Sequence, residues 1–280
     1  DINKSLFYWK CAAKFNNPAA LYNLGFIYYS GEHVQRNINL AIDYWNRASN
    51  LNNIEAQYNL GLLFLEGKLV KQDIVKAVYY WNLAGNQNNT LSLYNLGIIY
   101  RDGIYIPKDI AKSIFYFTQA ANLNHDNSQF ILGCIYFDLK MIDKAIYYWN
   151  LSSQHNNPYS QFNLSILYYQ GKHVKKNLGK AIYYCSLAAN NNLPEAQLNM
   201  GISYHLGLYI PQNIKKAIEY YTLSADQNMA LSQYKLGIIY YNQPNVQKDI
   251  NKSIHYFKLA AKQGYDQAQF MLGLIYFEGL

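Results

Sequence analysis

A phrase repeated at a fixed interval limits this chain more than any other feature. One copy reads Ala56-Gln57-Tyr58-Asn59-Leu60-Gly61-Leu62-Leu63-Phe64, and the next Ser92-Leu93-Tyr94-Asn95-Leu96-Gly97-Ile98-Ile99-Tyr100. Its glycine recurs as Gly25, Gly61, Gly97, Gly133, Gly201, Gly237 and Gly273, and Ser165 fills the fifth slot. The eight slots are spaced 36, 36, 36, 32, 36, 36 and 36 residues apart. A fixed period of about 20–50 residues marks a repeat architecture. Such a chain has no single central core, because each unit buries its apolar face against its neighbours. The whole of 1–280 is therefore expected to be one solenoid.

Each unit predicts two helices, A and B. In the second unit, helix A is expected from about Glu55 to Glu66, ended by Gly67 in the left-handed conformation that a glycine adopts without steric penalty. A loop, Lys68 to Gln72, turns Val70 inward. Asp73 caps helix B by accepting from its free backbone N–H groups, and the helix runs to about Asn86. The same grammar returns at Gly31/Val34/Asn37, Gly103/Ile106/Asp109, Gly171/Val174/Asn177 and Gly207/Ile210/Asn213. Helix B closes on small pairs such as Ala84-Gly85 and Ala120-Ala121, followed by Asn52, Asn88, Asn124, Asn156, Asn192 and Asn228, then Gly264. Asn and Gly both tolerate positive φ, so this slot predicts the turn into the next helix A. The fourth unit is four residues short between Tyr136 and Ala145, which predicts a tightened hairpin. The Gly slot is also missing at Gln243 and Pro244. The reading is all-α, with about sixteen antiparallel helices and no strand-period alternation.

On a helical wheel the small residue of helix A (Ala56, Ser92), the Leu before the glycine and the aromatic three after it share one face. That face is expected against its own helix B. The glycine points elsewhere, beside Tyr58 and Tyr94, and is expected to admit the neighbouring repeat. Helix B carries Lys76-Ala77 or Lys112-Ser113, then Tyr80-Trp81 or Tyr116-Phe117. These rings read as core, with tyrosine hydroxyls keeping a polar partner at the edge.

These residues together, A-x-x-x-L-G-x-x-Y-x-x-G-x-x-V-x-x-D-x-x-K-A-x-x-Y-x-x-A-A over about 36 positions, resemble the Sel1-like repeat family, relatives of the tetratricopeptide repeat. The resemblance covers the whole chain. It implies a right-handed α/α superhelix whose helices A line a concave groove, and adaptor work in multiprotein complexes. A secreted branch of the family carries a disulfide in each repeat, a pattern absent here.

Composition narrows the function classes. Lys and Arg number 24 against 17 Asp and Glu, a net charge of +7. Such a charge suits an acidic or nucleic-acid partner, yet the lysines recur singly at helix starts and loops. Cys11, Cys134 and Cys185 do not repeat in register, so no disulfide framework is expected and a reducing compartment is favoured. No signal peptide or membrane span is visible in the sequence. Asp1-Ile2-Asn3-Lys4-Ser5 repeats as Asp249-Ile250-Asn251-Lys252-Ser253. The chain thus opens inside a repeat and reads as part of a longer array. Uncapped ends at Leu6, Trp9 and Phe277 are expected to favour end-to-end self-association as an artefact of the cut.

Two helix-A positions stay polar. Two before the glycine stand Asn23, Asn59, Asn95, Asn163, Asn199 and Lys235; five after it stand Ser30, Glu66, Asp102, Asp138, Gln170 and Asn242. Seven residues apart, they share one stripe. An amide offers a donor and an acceptor at once and so grips a peptide backbone. The stripe is the candidate surface for an extended or helical segment of a partner protein; the alternatives are a plain solvent face, or amides bonded within the neighbouring repeat. The six histidines (His33, His125, His155, His173, His205 and His255) have no Cys, Asp or Glu at ligand spacing. No phosphate loop, triad or cofactor motif is present. The expectation is a non-catalytic scaffold without metal or cofactor. A nucleic-acid-binding repeat using the net charge, or an enzyme with a groove site, are the alternatives.

Overall fold

The computed structural model describes residues 1–244 and 246–279. Among the described residues sixteen α-helices follow one another: α1 (Ile2–Lys14), α2 (Pro18–Ser30), α3 (Ile38–Asn50), α4 (Ile54–Glu66), α5 (Ile74–Gly85), α6 (Thr90–Asp102), α7 (Ile110–Asn122), α8 (Asp126–Asp138), α9 (Ile142–Gln154), α10 (Pro158–Gln170), α11 (Leu178–Asn190), α12 (Pro194–Leu206), α13 (Ile214–Asp226), α14 (Ala230–Asn242), α15 (Ile250–Lys262) and α16 (Asp266–Phe277). There is no strand among the described residues. Even-numbered helices are helices A and odd-numbered ones helices B. The chain divides into two compact units, Asp1–Ile135 and Tyr136–Leu280.

Local chemistry sets the helix ends. Asp73 Oδ1 accepts from the Lys76 N–H at 3.0 Å, and Asn37, Asp109, Asn177, Asn213 and Asp249 cap their helices B in the same way. Helices A have caps that the sequence reading did not single out. Asn17, Asn53, Asn89 and Asn157 each accept from the N–H three residues on. His125 takes that role for α8, its Nδ1 accepting from the Ser128 N–H at 3.3 Å. Gly67 ends α4 at φ +65°, and its N–H donates to the Leu63 carbonyl at 3.3 Å. Asn52, Asn88, Asn124, Asn156, Asn192 and Asn228 all lie at positive φ, as does Gly264. In the short fourth loop Lys140 stands at φ +62° and the Met141 N–H donates to the Tyr136 carbonyl at 2.9 Å.

In the first unit α2 packs on α3, α4 on α5 and α6 on α7, while α3 also packs on α4 and α5 on α6. The second unit repeats this with α10 on α11, α12 on α13 and α14 on α15, and with α11 on α12 and α13 on α14. Each of these helices A that has a helix B on both sides therefore touches its own and the preceding one. This corrects the glycine expectation. A Cβ on Gly97 would lie 2.6 Å from the Phe117 ring, and one on Gly201 2.6 Å from Tyr221. Phe117 and Tyr221 belong to the same repeat as their glycine. Gly25 and Gly61 stand likewise against Trp45 and Trp81. The glycine admits its own helix B, and the neighbouring repeat is held elsewhere.

The wheel face divides in the same way. Phe64, Tyr100 and Tyr204 stack on Tyr80, Tyr116 and Tyr220 of their own helix B, with centroids 6.0, 5.6 and 5.8 Å apart. The small residue at the start of helix A points back: Ser232 donates to Ser224 of the preceding helix B at 2.7 Å. A longer residue there would hold the two helices apart.

Neighbouring repeats are also tied by buried amides that the sequence reading passed over. Gln57 donates to the Ser49 carbonyl at 3.1 Å and accepts from Gln87 at 2.9 Å. Gln161, Gln197 and Gln233 repeat the pattern with Ser153, Ala189 and Ala225. Each satisfies a carbonyl at a helix C-terminus, where intrahelical donors have run out. On helix B, the Tyr80, Tyr116 and Tyr184 hydroxyls donate to Asn46, Asn82 and Asn150 of the preceding helix B at 2.8 Å. Leu6, expected at an exposed end, is instead buried in the first core, whereas Phe277 is 91% exposed.

Candidate functional site

The polar stripe is placed by the helix-A register. In the first unit Asn23, Asn59 and Asn95 are half-buried, and Glu66 and Asp102 are exposed. The Asn59 amide donates to the Tyr22 hydroxyl of the preceding repeat at 3.4 Å, so part of the ladder is engaged between repeats. Glu66 lies 3.4 Å from Lys68, and Asp102 is 2.7 Å from Arg101, which occupies much of the acidic edge. In the second unit Asn163 and Lys235 are half-buried, and Asp138, Gln170 and Asn199 are exposed.

Beside the stripe each unit has a socket between helices. In the first unit, Asn95 lines a space of 90 Å³ with Leu65, Trp81, Ile98, Asp102 and Tyr105. Trp81 stands fully buried beside it, with its indole N–H donating to the Tyr58 carbonyl at 3.2 Å. The equivalent space in the second unit holds 230 Å³ and is lined by Ser165, Tyr169, Cys185, Asn199, Ile202 and Tyr209, among others. Here the aromatic of helix B is replaced by Cys185 and the glycine of helix A by Ser165. Cys185 is 5% exposed and donates to the Ala196 carbonyl at 3.6 Å. Burial pushes its thiol up to about 11, against a hydrogen bond with Ser165 that lowers it. It is thus a neutral thiol at ordinary pH and a poor nucleophile. The signal was in the sequence as two departures twenty residues apart. Only the packing of α10 on α11 shows that they meet.

The recurrent lysines have a local role. Lys76, Lys112, Lys180 and Lys216 each sit over the helix-A ring of their own repeat, 4.8–5.2 Å from its centroid. Lys76 and Lys112 also lie 3.5 and 3.7 Å from the capping carboxylates of Asp73 and Asp109. Among the described residues, no three His, Cys, Asp or Glu side chains gather in a metal-holding group. No described helix is long and apolar enough to cross a membrane.

Paired helices in a fixed 36-residue register, tied from repeat to repeat by buried amides, define an α/α repeat protein. The Sel1 repeat profile matches residues 1–14, 18–53, 54–89, 90–125, 127–157, 158–193, 194–229, 230–265 and 266–280, and the chain belongs to the Sel1 repeat family. Among solved structures it is similar to a Sel1 repeat protein from Oxalobacter formigenes, at 24% identity and a TM-score of 0.84 over 98% of this chain and 80% of that one. It is also similar to c5321, a protective antigen of uropathogenic Escherichia coli with the same repeat fold, at 26% identity and a TM-score of 0.52 over 98% of this chain and 67% of that one. A comparison with curated proteins returned no match.

Proposed function

We propose that the chain is a non-catalytic scaffold that holds a segment of another protein along its helix-A stripe. The observation that carries this reading is the repetition of half-buried amides at one helix-A position. Asn59 and Asn95 of the first unit stand 36 residues apart, and Asn163 holds the same register position in the second unit; all three are half-buried. Regularly spaced amides suit a regularly spaced ligand, and a polypeptide backbone presents alternating donors and acceptors at fixed intervals. Binding through main-chain groups places little demand on the ligand's sequence, so specificity would come from the sockets between helices, as in other peptide-recognition surfaces.

The test is a peptide-display selection on the immobilised chain, followed by affinity measurement on the Asn59→Ala/Asn95→Ala/Asn163→Ala variant. The expected result is a loss of tenfold or more, about 1.4 kcal/mol. Peptides that bind both proteins equally would move the interface off the stripe.

A further inference from the structure

We propose that the space between α10, α11 and α12, closed by the Leu208–Tyr209 loop, is a socket for one aromatic side chain of the bound partner segment. The inference rests on the scaffold reading above and gives it a point of specificity. The shape of the space comes from a paired departure. In six other repeats the helix-B slot holds a ring of this chain: Trp45, Trp81, Phe117, Trp149, Tyr221 or Phe257. Five of those rings are at most 1% exposed and Trp149 is 3% exposed. In the fifth repeat the ring is absent, Cys185 stands in its place, and the socket widens from the 90 Å³ of its first-unit counterpart to 230 Å³.

The size and lining select the occupant. An apolar cavity of about 150 Å³ stays dry and takes up benzene, so 230 Å³ accommodates a phenyl or indole group. The walls are Ile166, Ile182 and Ile202, and the Cys185 sulfur supplies a soft, polarizable floor of the kind that favours ring contact. Asn199 and Ser203 line the same space, where an indole N–H or phenol O–H would otherwise lose its partner.

The rim is built for rings as well. Tyr169 and Tyr209 are about half-exposed and meet edge-to-face at 6.2 Å. Tyr209 is held at φ +65° and is the one aromatic at positive φ among the described residues. A bulky side chain is strained in that region, and such strain concentrates at ligand clamps. Asn199 is on the polar stripe, so a side chain in the socket belongs to a segment lying along that stripe.

The probe is N-acetyl-tryptophanamide, titrated calorimetrically onto the full chain. Saturable binding is expected. In Ser165→Gly/Cys185→Trp, which restores the pairing of the other repeats, affinity should fall at least tenfold. Cys185→Met fills the floor without touching Ser165 and should do the same if the double variant folds poorly. Absent binding to the natural chain, or equal binding by the filled variants, overturns the socket. For a display-selected peptide, replacing its aromatic by Ala should weaken binding tenfold on the natural chain and leave the filled variants unaffected. If the probe binds but no selected peptide depends on the socket, it serves a free aromatic molecule and the partner assignment falls. Loss of socket dependence with the stripe dependence intact overturns this inference alone; the reverse overturns the scaffold reading.

Discussion

The socket between α4, α5 and α6 and the one between α10, α11 and α12 are made from the same repeat and end in different states. In the first, the Trp81 indole lies on Gly61 and leaves 90 Å³ beside it. In the second, Ser165 and Cys185 leave 230 Å³. The difference teaches that glycine and ring are one unit of information. A Cβ on helix A and a ring on helix B compete for the same volume, so a Cβ fits on helix A only where the ring is reduced. Swapping both keeps the helices in place and converts a filled core position into an open one.

The largest expected effect comes from turning the first socket into the second. Trp81→Cys removes a fully buried indole and should cost about 3–5 kcal/mol, read as a fall in the chemical-denaturation midpoint. Adding Gly61→Ser should cost less than the sum of the two single changes, with a coupling of about 1–3 kcal/mol in a double-mutant cycle, because the serine clashes only while the indole is there. Strict additivity would break the pairing.

Gly97→Leu should follow, losing about 3 kcal/mol through overpacking against Phe117, and thermal melting would measure it. Phe117→Ala in the same background should relieve part of that loss. An unchanged midpoint for Gly97→Leu alone would show that the close approach is slack.

Alkaline pH should act more gently and in a predictable direction. The Cys185 thiol is raised from its ordinary 9.0 to about 11 by burial, and Tyr80, Tyr116, Tyr184 and Tyr220 are raised above 10.0 for the same first cause. The folded state therefore holds protons that the unfolded chain releases, and stability falls as pH rises from about 9 towards 11. Cys185→Ala should flatten the start of that decline. On the acid side burial holds the His125 imidazole below its ordinary 6.5. Its contribution is present above that value and is lost as pH falls below it through the lowered value of the folded state, a dependence that His125→Asn should remove.

The smallest effect is at Lys112. Its ammonium is largely exposed, 3.7 Å from Asp109 and 5.1 Å from the Tyr100 centroid. Lys112→Ala should change stability by at most about 1 kcal/mol. A larger loss in urea titration would mean that the lysine, rather than the glycine–ring pair, holds the two helices together.

Much of this was legible beforehand. The period alone places the helices, because a Gly, Val or Asp at a given register position answers a local demand for positive φ, inward packing or a cap. The observed starts at Ile54 and Ile74 lie within a residue of that reading. The partner of the glycine was not legible. A helical wheel shows which residues share a face but not which of two flanking helices that face meets, since α4 touches both α3 and α5. The stripe was legible as a register position, whereas the engagement of Asn59 by Tyr22 of the preceding repeat was not.

The sequence by itself determined the architecture, because repetition and capping act over a few residues and need no distant contact. The tertiary structure alone decided which side chains share a volume. Ser165 and Cys185 are two unremarkable departures twenty residues apart until α10 lies on α11 and one space has to serve both.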